Sequence, residues 1–103
     1  MTYPVINMAL TGARIKMMRK QRGITVKQIT EFMGFSEPVA VYKWQRGESL
    51  PSTDNLLALA RILNCSMEDI LVTEDEMSSF IVRLAAHVSN GLKSRIRPVV
   101  GRI

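Results

Sequence analysis

The sequence has a single cysteine, Cys65, and a single histidine, His87. One cysteine leaves no internal disulfide and no cysteine-built zinc site, so Cys65 reads as a buried, inert thiol. One histidine removes most transition-metal and acid–base arrangements, and His87 reads as a surface residue. No apolar run approaches the ~20 residues that a membrane-spanning helix needs. The start, from Met1 to Asn7, has neither a basic opening nor a long apolar block, so no secretory signal is expected and the expected compartment is the cytoplasm. There is no nucleophile–base pair and no phosphate-cradling glycine loop, so the chain is not expected to be an enzyme, and no cofactor is expected. Strand signals are nearly missing too. The best β-like run, Val39-Ala40-Val41-Tyr42, sits inside a helical pattern. Aromatics are only 6% of the chain while Met occurs seven times, so an aliphatic core with methionine gap-fillers is expected. With 103 residues, the chain has room for one core.

Charge is present but unevenly placed. Residues 1–35 carry six basic and one acidic side chain, and residues 36–56 carry two basic and three acidic. Residues 57–79 carry one basic and five acidic, and residues 80–103 carry five basic and none acidic. A basic front, an acidic middle and a basic end within a net +5 chain suit a surface that meets a polyanion.

Helix signals follow one another closely. Thr11 before Gly12 predicts an N-cap, because a Thr hydroxyl accepts from an early backbone N–H. Ile15 and Met18 then face inward, with Arg14, Lys16, Lys20 and Arg22 solvated, until Gly23 ends the helix. Thr25 caps a second helix carrying Ile29 and Met33, closed by Gly34. Ser36 is the expected cap of a third helix running to Arg46, with Pro38 tolerated in its first turn and Val41 and Trp44 inward. Trp44 has two readings, core packing or an indole N–H offered to phosphate, and core packing is favoured. Ser52 or Thr53 caps a fourth helix that buries Leu56, Leu59, Ala60 and Leu63. Ser66 caps a short fifth with Ile70 and Leu71, and Asp69 reaches back as in a capping box. Two of these helices, 25–33 and 36–46, joined by a short glycine-containing turn, outline a helix-turn-helix.

The ordered succession Gly12-Ala13-Arg14-Ile15-Lys16-Met17-Met18-Arg19-Lys20, Gly23-Ile24-Thr25, Trp44-Gln45-Arg46-Gly47, Leu50-Pro51 through Ala60, and Asn64 through Leu71 resembles the Xre/Cro-type (lambda-repressor-like) helix-turn-helix family. The resemblance covers residues 12–71. It implies an all-α, five-helix lambda-repressor-like domain and sequence-specific binding of double-stranded DNA, commonly as a dimer and most often in repression. In that setting the third helix enters the major groove and the second crosses the backbone. The residues carried to those positions are Ser36, Glu37, Val39, Tyr42 and Lys43 on the reading helix, with Lys27, Gln28 and Arg46 on the backbone. The chain departs from the family pattern in four places. The turn before the third helix is one residue longer, Val26 replaces a phosphate-contacting Gln, and Thr30 replaces a small Ala. Gln45 stands where a Glu usually pairs with the first-helix Arg, here Arg19.

Beyond residue 72 an additional amphipathic helix is expected over 74–90. Met77, Phe80, Ile81, Leu84, Ala85 and Val88 form one stripe, Glu74, Asp75 and Glu76 sit at its start, and Asn90-Gly91 stops it. The expected organisation is an N-terminal arm over 1–10, the DNA-binding domain over 11–72, and a C-terminal helix and tail over 73–103. The stripe is covered either by a second copy, through Met77, Phe80, Ile81, Leu84 and Val88, or by its own domain. Lys93, Arg95, Arg97 and Arg102 make a basic tail that either attracts DNA or is simply solvated. The alternative function is an antitoxin-like module that binds a partner protein through the C-terminal helix and represses its own operon.

Overall fold

A computed structural model describes the backbone of residues 3–100 and the side chains of residues 3–88. Six α-helices follow in order: α1 Met8–Gln21, α2 Val26–Met33, α3 Val39–Gln45, α4 Thr53–Leu63, α5 Met67–Ile70 and α6 Met77–Val100. A 3₁₀ turn, Glu74–Glu76, leads into α6. Among the described residues the only β pairing is an isolated antiparallel bridge between Ile6 and Thr73. The expected all-helical class is the observed one.

One cluster holds the first five helices together. Ile15, Ile29, Val41, Leu59, Leu63 and Ile70 are fully buried in it, with Met18 and Trp44 nearly so. Phe35 meets Trp44 edge to face at 6.0 Å between centroids, so the indole is a core group. The core is aliphatic as expected. Of the described methionines only Met18 is buried in it, while Met33 and Met67 fill its margin. α1 packs most extensively on α3. That approach is close because residue 12 is glycine. A Cβ there would stand 2.7 Å from the Gln45 carbonyl oxygen, inside contact distance.

Four expectations change. The cap of α1 is Asn7, whose Oδ1 accepts from the Leu10 N–H at 2.9 Å, so the helix starts at Met8 and Thr11 lies inside it. Thr11 is fully buried and uses its hydroxyl on the backbone of residue 72, accepting from the Val72 N–H at 3.0 Å. Ser36 caps nothing. α3 starts only at Val39, with Pro38 in the cap position and no side-chain cap bond. The cause is steric, since the proline ring disfavours helical geometry at the residue before it, Glu37. Arg14 is buried rather than solvated. Its Nη1 donates to the Asp69 and Leu71 carbonyls at 3.0 and 3.4 Å, groups at the end of α5 that lack helical partners. Finally, α6 runs on through Asn90 and Gly91 to Val100. A glycine within a helix costs about 1 kcal/mol and does not by itself end one.

The chain ends of the domain are stitched to each other. The Asn7 N–H donates to the Val72 carbonyl and the Glu74 N–H to the Val5 carbonyl, both at 2.8 Å. Phe80, in the first turn of α6, is fully buried beneath the Arg14 guanidinium, 4.7 Å from ring centroid to Cζ. Burial depresses the Arg14 pKa, and the nearby Arg83 adds to that effect. The apolar stripe of α6 therefore divides. Phe80 belongs to its own domain and is removed from any intermolecular face. Leu84 is half-buried, while Met77, Ile81 and Val88 remain exposed.

Candidate nucleic-acid interface

The helix-turn-helix is built from α2 and α3. Thr25 starts α2 with a reciprocal cap, its hydroxyl accepting from the Gln28 N–H at 3.0 Å while its own N–H donates to Gln28 Oε1 at 2.8 Å. Gly34 ends α2 in the left-handed conformation, and residues 34–38 lead into α3. The sequence of α3 divides it lengthwise. Val41 and Trp44 face the core, whereas Val39, Tyr42, Lys43 and Arg46, at spacing 3, 1 and 3, form the outer face.

Every side chain anticipated at the interface is exposed: Lys27, Gln28, Ser36, Glu37, Val39, Tyr42, Lys43 and Arg46. Val39 and Tyr42 are 53% and 43% exposed, unusually open for large apolar side chains on a helix whose other side is sealed. Ser36 and Glu37 lie in the bend ahead of α3 rather than in its first turn. Two candidates are already engaged. The Gln28 side-chain oxygen is held by the cap of α2. Arg46 is ion-paired with Glu48, and that hydrogen bond raises the Arg46 pKa and holds the Glu48 carboxyl below its ordinary range.

Three of the four departures from the family pattern find physical accounts. The Thr30 hydroxyl donates to the Val26 carbonyl at 2.8 Å, so it is satisfied within its own helix. Val26 is half-buried against the core. Arg19 Nε donates to Gln45 Oε1 at 2.9 Å and its Nη1 to the Ile24 carbonyl at 3.0 Å. The bond to position 45 thus forms with an amide, which fixes geometry and leaves the charge of Arg19 in place.

One group of side chains escaped the sequence reading. An open hollow of about 550 Å³ lies between the end of α1, the start of α2 and the end of α3, lined by Lys16, Arg19, Lys20, Lys27, Gln45 and Arg46 together with Thr25, Val26 and Tyr42. Five of the lining residues are cationic and none is a carboxylate. Lys16 and Lys20 read as merely solvated in the sequence. The usable signal was their spacing, since positions 16, 19 and 20 share a face of α1 that the turn brings beside α2.

Other candidates fall elsewhere. Cys65 is half-buried, and that burial pushes its thiol pKa up, away from the reactive thiolate. His87 is half-buried on α6 rather than at the open surface. The tail residues Lys93, Arg95, Arg97 and Arg102 lie outside the described side chains. Among the described residues no cluster of three His, Cys, Asp or Glu is placed to hold a metal ion, and no helix is long and apolar enough to cross a membrane.

Comparison with known proteins places this geometry. The chain is 38% identical over 66 residues to the repressor protein C2 of Salmonella phage P22, a match spanning 64% of this chain and 30% of that one. It is 35% identical over 65 residues to the HTH-type transcriptional regulator DicA of Escherichia coli K12, spanning 63% and 47%. The chain thus spans less than half the length of either relative. The crystal structure of the P22 c2 repressor in complex with synthetic operator 9T superposes with a TM-score of 0.55 at 38% identity, covering 59% of this chain and 91% of that one. Residues 14–76 match the Cro/C1-type HTH DNA-binding domain, and the chain belongs to that family.

Proposed function

We propose that the chain is a sequence-specific double-stranded DNA-binding transcriptional regulator, acting as a repressor, that reads the major groove with α3. The observation that carries this reading is the two-sidedness of α3. Its inner side is locked to α1 and the core, and its outer side is free of the rest of the described chain. A helix presented this way fits a major groove about 12 Å wide. The P22 c2 repressor, a relative of similar sequence in this region, has been crystallised on operator DNA.

The roles follow from side-chain chemistry. Lys43 would donate to guanine acceptors or to phosphate, Val39 would touch a thymine methyl, and Glu37 would accept from a cytosine amino group. Ser36 is a small donor and acceptor beside them. Tyr42 would meet phosphate or sugar. Lys27, Arg46 and the free amide end of Gln28 would hold the strand on either side. We also propose that two copies associate through the exposed part of the α6 stripe, Met77, Ile81 and Val88 with Leu84 at its edge. They would read half-sites about 34 Å apart. A regulator of this kind works where the DNA is, in the cytoplasm.

Selection of bound duplexes from a random pool, followed by salt titration of the winner, tests the reading. A preferred sequence should emerge and affinity should fall steeply with salt. Lys43→Ala should weaken binding and relax preference by about 1–3 kcal/mol at the base it reads. Arg46→Ala should weaken all sequences alike and lower the salt slope by about 1. Wild-type binding in both variants would remove α3 from the interface.

A further inference from the structure

We infer that a second hollow, bordered by the N-terminal arm, α5 and the start of α6, binds a small monocarboxylic acid with an aliphatic body, its carboxylate held between Arg14 and Arg83. The site stands on its own geometry. Only what an occupant would regulate rests on the DNA-binding reading.

The hollow has a volume of about 640 Å³, within the range of small-molecule sites. None of its lining residues belongs to α2 or α3, and none lines the cationic hollow beside them. Arg14 reaches it from α1 and is only 8% exposed. The Nη1 of that side chain is taken by the Asp69 and Leu71 carbonyls, and Phe80 covers one face of the guanidinium. Nε and Nη2 bond to none of the described residues, yet no sealed side-chain nitrogen among them lacks a partner. Those two nitrogens therefore open outward, and the open space beside Arg14 is this hollow. They form the edge of a guanidinium that grips a carboxylate through two parallel bonds.

Arg83 supplies the opposing cation from α6. Among the described residues the one ion pair is Arg46 with Glu48, so neither Arg14 nor Arg83 is neutralised by direct contact. Burial depresses the Arg14 pKa and the charge of Arg83 adds to it, and an anion between the two offsets that repulsion. Three carboxylates also border the hollow, and two of them are spent on helix starts. Asp69 Oδ2 accepts from the Ser66 N–H at 3.0 Å, and Glu76 Oε1 accepts from the Thr73 hydroxyl at 2.8 Å. With Glu68 they leave the arginines unpaired but disfavour a doubly charged phosphate, so the hollow selects a single negative charge. Pro4, Ile6 and Leu71 make its apolar wall. Ile6 is 38% exposed, and an aliphatic body laid on it would remove apolar surface from water. An occupant would touch α1, α5 and α6 at once and fasten α6 to the DNA-binding domain, which is the position of an effector.

A nuclear magnetic resonance titration of the full chain, without DNA, is the test. Isovalerate should bind saturably in the millimolar range. It should shift the backbone amides of residues 5–7, 68–73 and 76–83 and leave those of α3 in place. Isovaleramide, the same body without the charge, should bind about tenfold more weakly, as should inorganic phosphate. Arg83 is exposed, so Arg83→Gln should keep the fold and weaken isovalerate on the order of tenfold. Arg61→Gln, the same change on α4 away from the hollow, should not. Equal binding of the amide, tighter binding of phosphate, or an affinity unmoved by Arg83→Gln would overturn the carboxylate site. So would the absence of saturable isovalerate binding. Each of those results leaves the DNA-binding reading standing, because no duplex takes part.

Discussion

Gly12 shows how far one residue controls the interface. It sits where α1 crosses the end of α3, and a Cβ would press on the carbonyls of residues 44 and 45. Those carbonyls are backbone and cannot swing aside. Gly12→Ala should destabilise the fold by about 2–3 kcal/mol, read as a lower denaturant midpoint. An unchanged midpoint would mean that the two helices separate at little cost. The sequence hid this role, because Gly12 beside Thr11 reads as the start of a helix. Arg14 was hidden for a related reason. Its charge predicts a solvated face, and its burial depends on α5 and α6 arriving from more than fifty residues away to supply carbonyls and an aromatic ring. Arg19 was easier to place, because the resemblance paired it with position 45 and the bond is present.

At the level of elements, helix positions were legible, and so were the starts of α2, α4 and α5, whereas those of α1 and α3 were not. The left-handed glycines at 23, 34 and 47 mark where the first three helices end, because few other residues adopt that geometry cheaply. Ser52 and Ser66 mark the starts of α4 and α5 by accepting from the N–H groups of Asn55 and Asp69 at 3.3 and 3.1 Å. Ser36 carries the same signal and fails, because Pro38 overrules it two residues later. The α6 stripe was legible as a stripe but not as two surfaces. Phe80 is fully buried, so Phe80→Ala should cost about 3–5 kcal/mol of stability within a single chain. Chemical denaturation followed over a range of protein concentrations checks this, since a loss seen only at high concentration would return Phe80 to an intermolecular face.

At the scale of the whole molecule, the cationic hollow and the outer stripe of the last helix lie on different elements. The hollow is bounded by α1, α2 and α3, while Met77, Ile81 and Val88 share the exposed stripe of α6. DNA and a second copy would then engage different parts of the chain. Ile81→Glu should leave the thermal transition of a dilute sample in place and shift sedimentation equilibrium from dimer to monomer. It should also weaken binding to a two-half-site duplex far more than to a single half-site. Monomer in the unaltered chain at tens of micromolar would remove the dimer. The basic front of the sequence foreshadowed a cationic surface, but composition alone does not say which cations meet in one hollow. That depends on the angle at which α1 crosses the helix-turn-helix.

The paired backbone of residues 5–7 and 72–74 has a practical corollary. Asn7 caps the first helix and also donates its N–H to the segment ahead of the last one, so a cut at either place unfastens both. A shortened version trimmed to residues 11–72 would discard the cap, the stitch and the aromatic ring beneath Arg14 together. The shortest span that keeps all three contacts runs from Val5 to Phe80, so tags or fusion partners belong outside those limits.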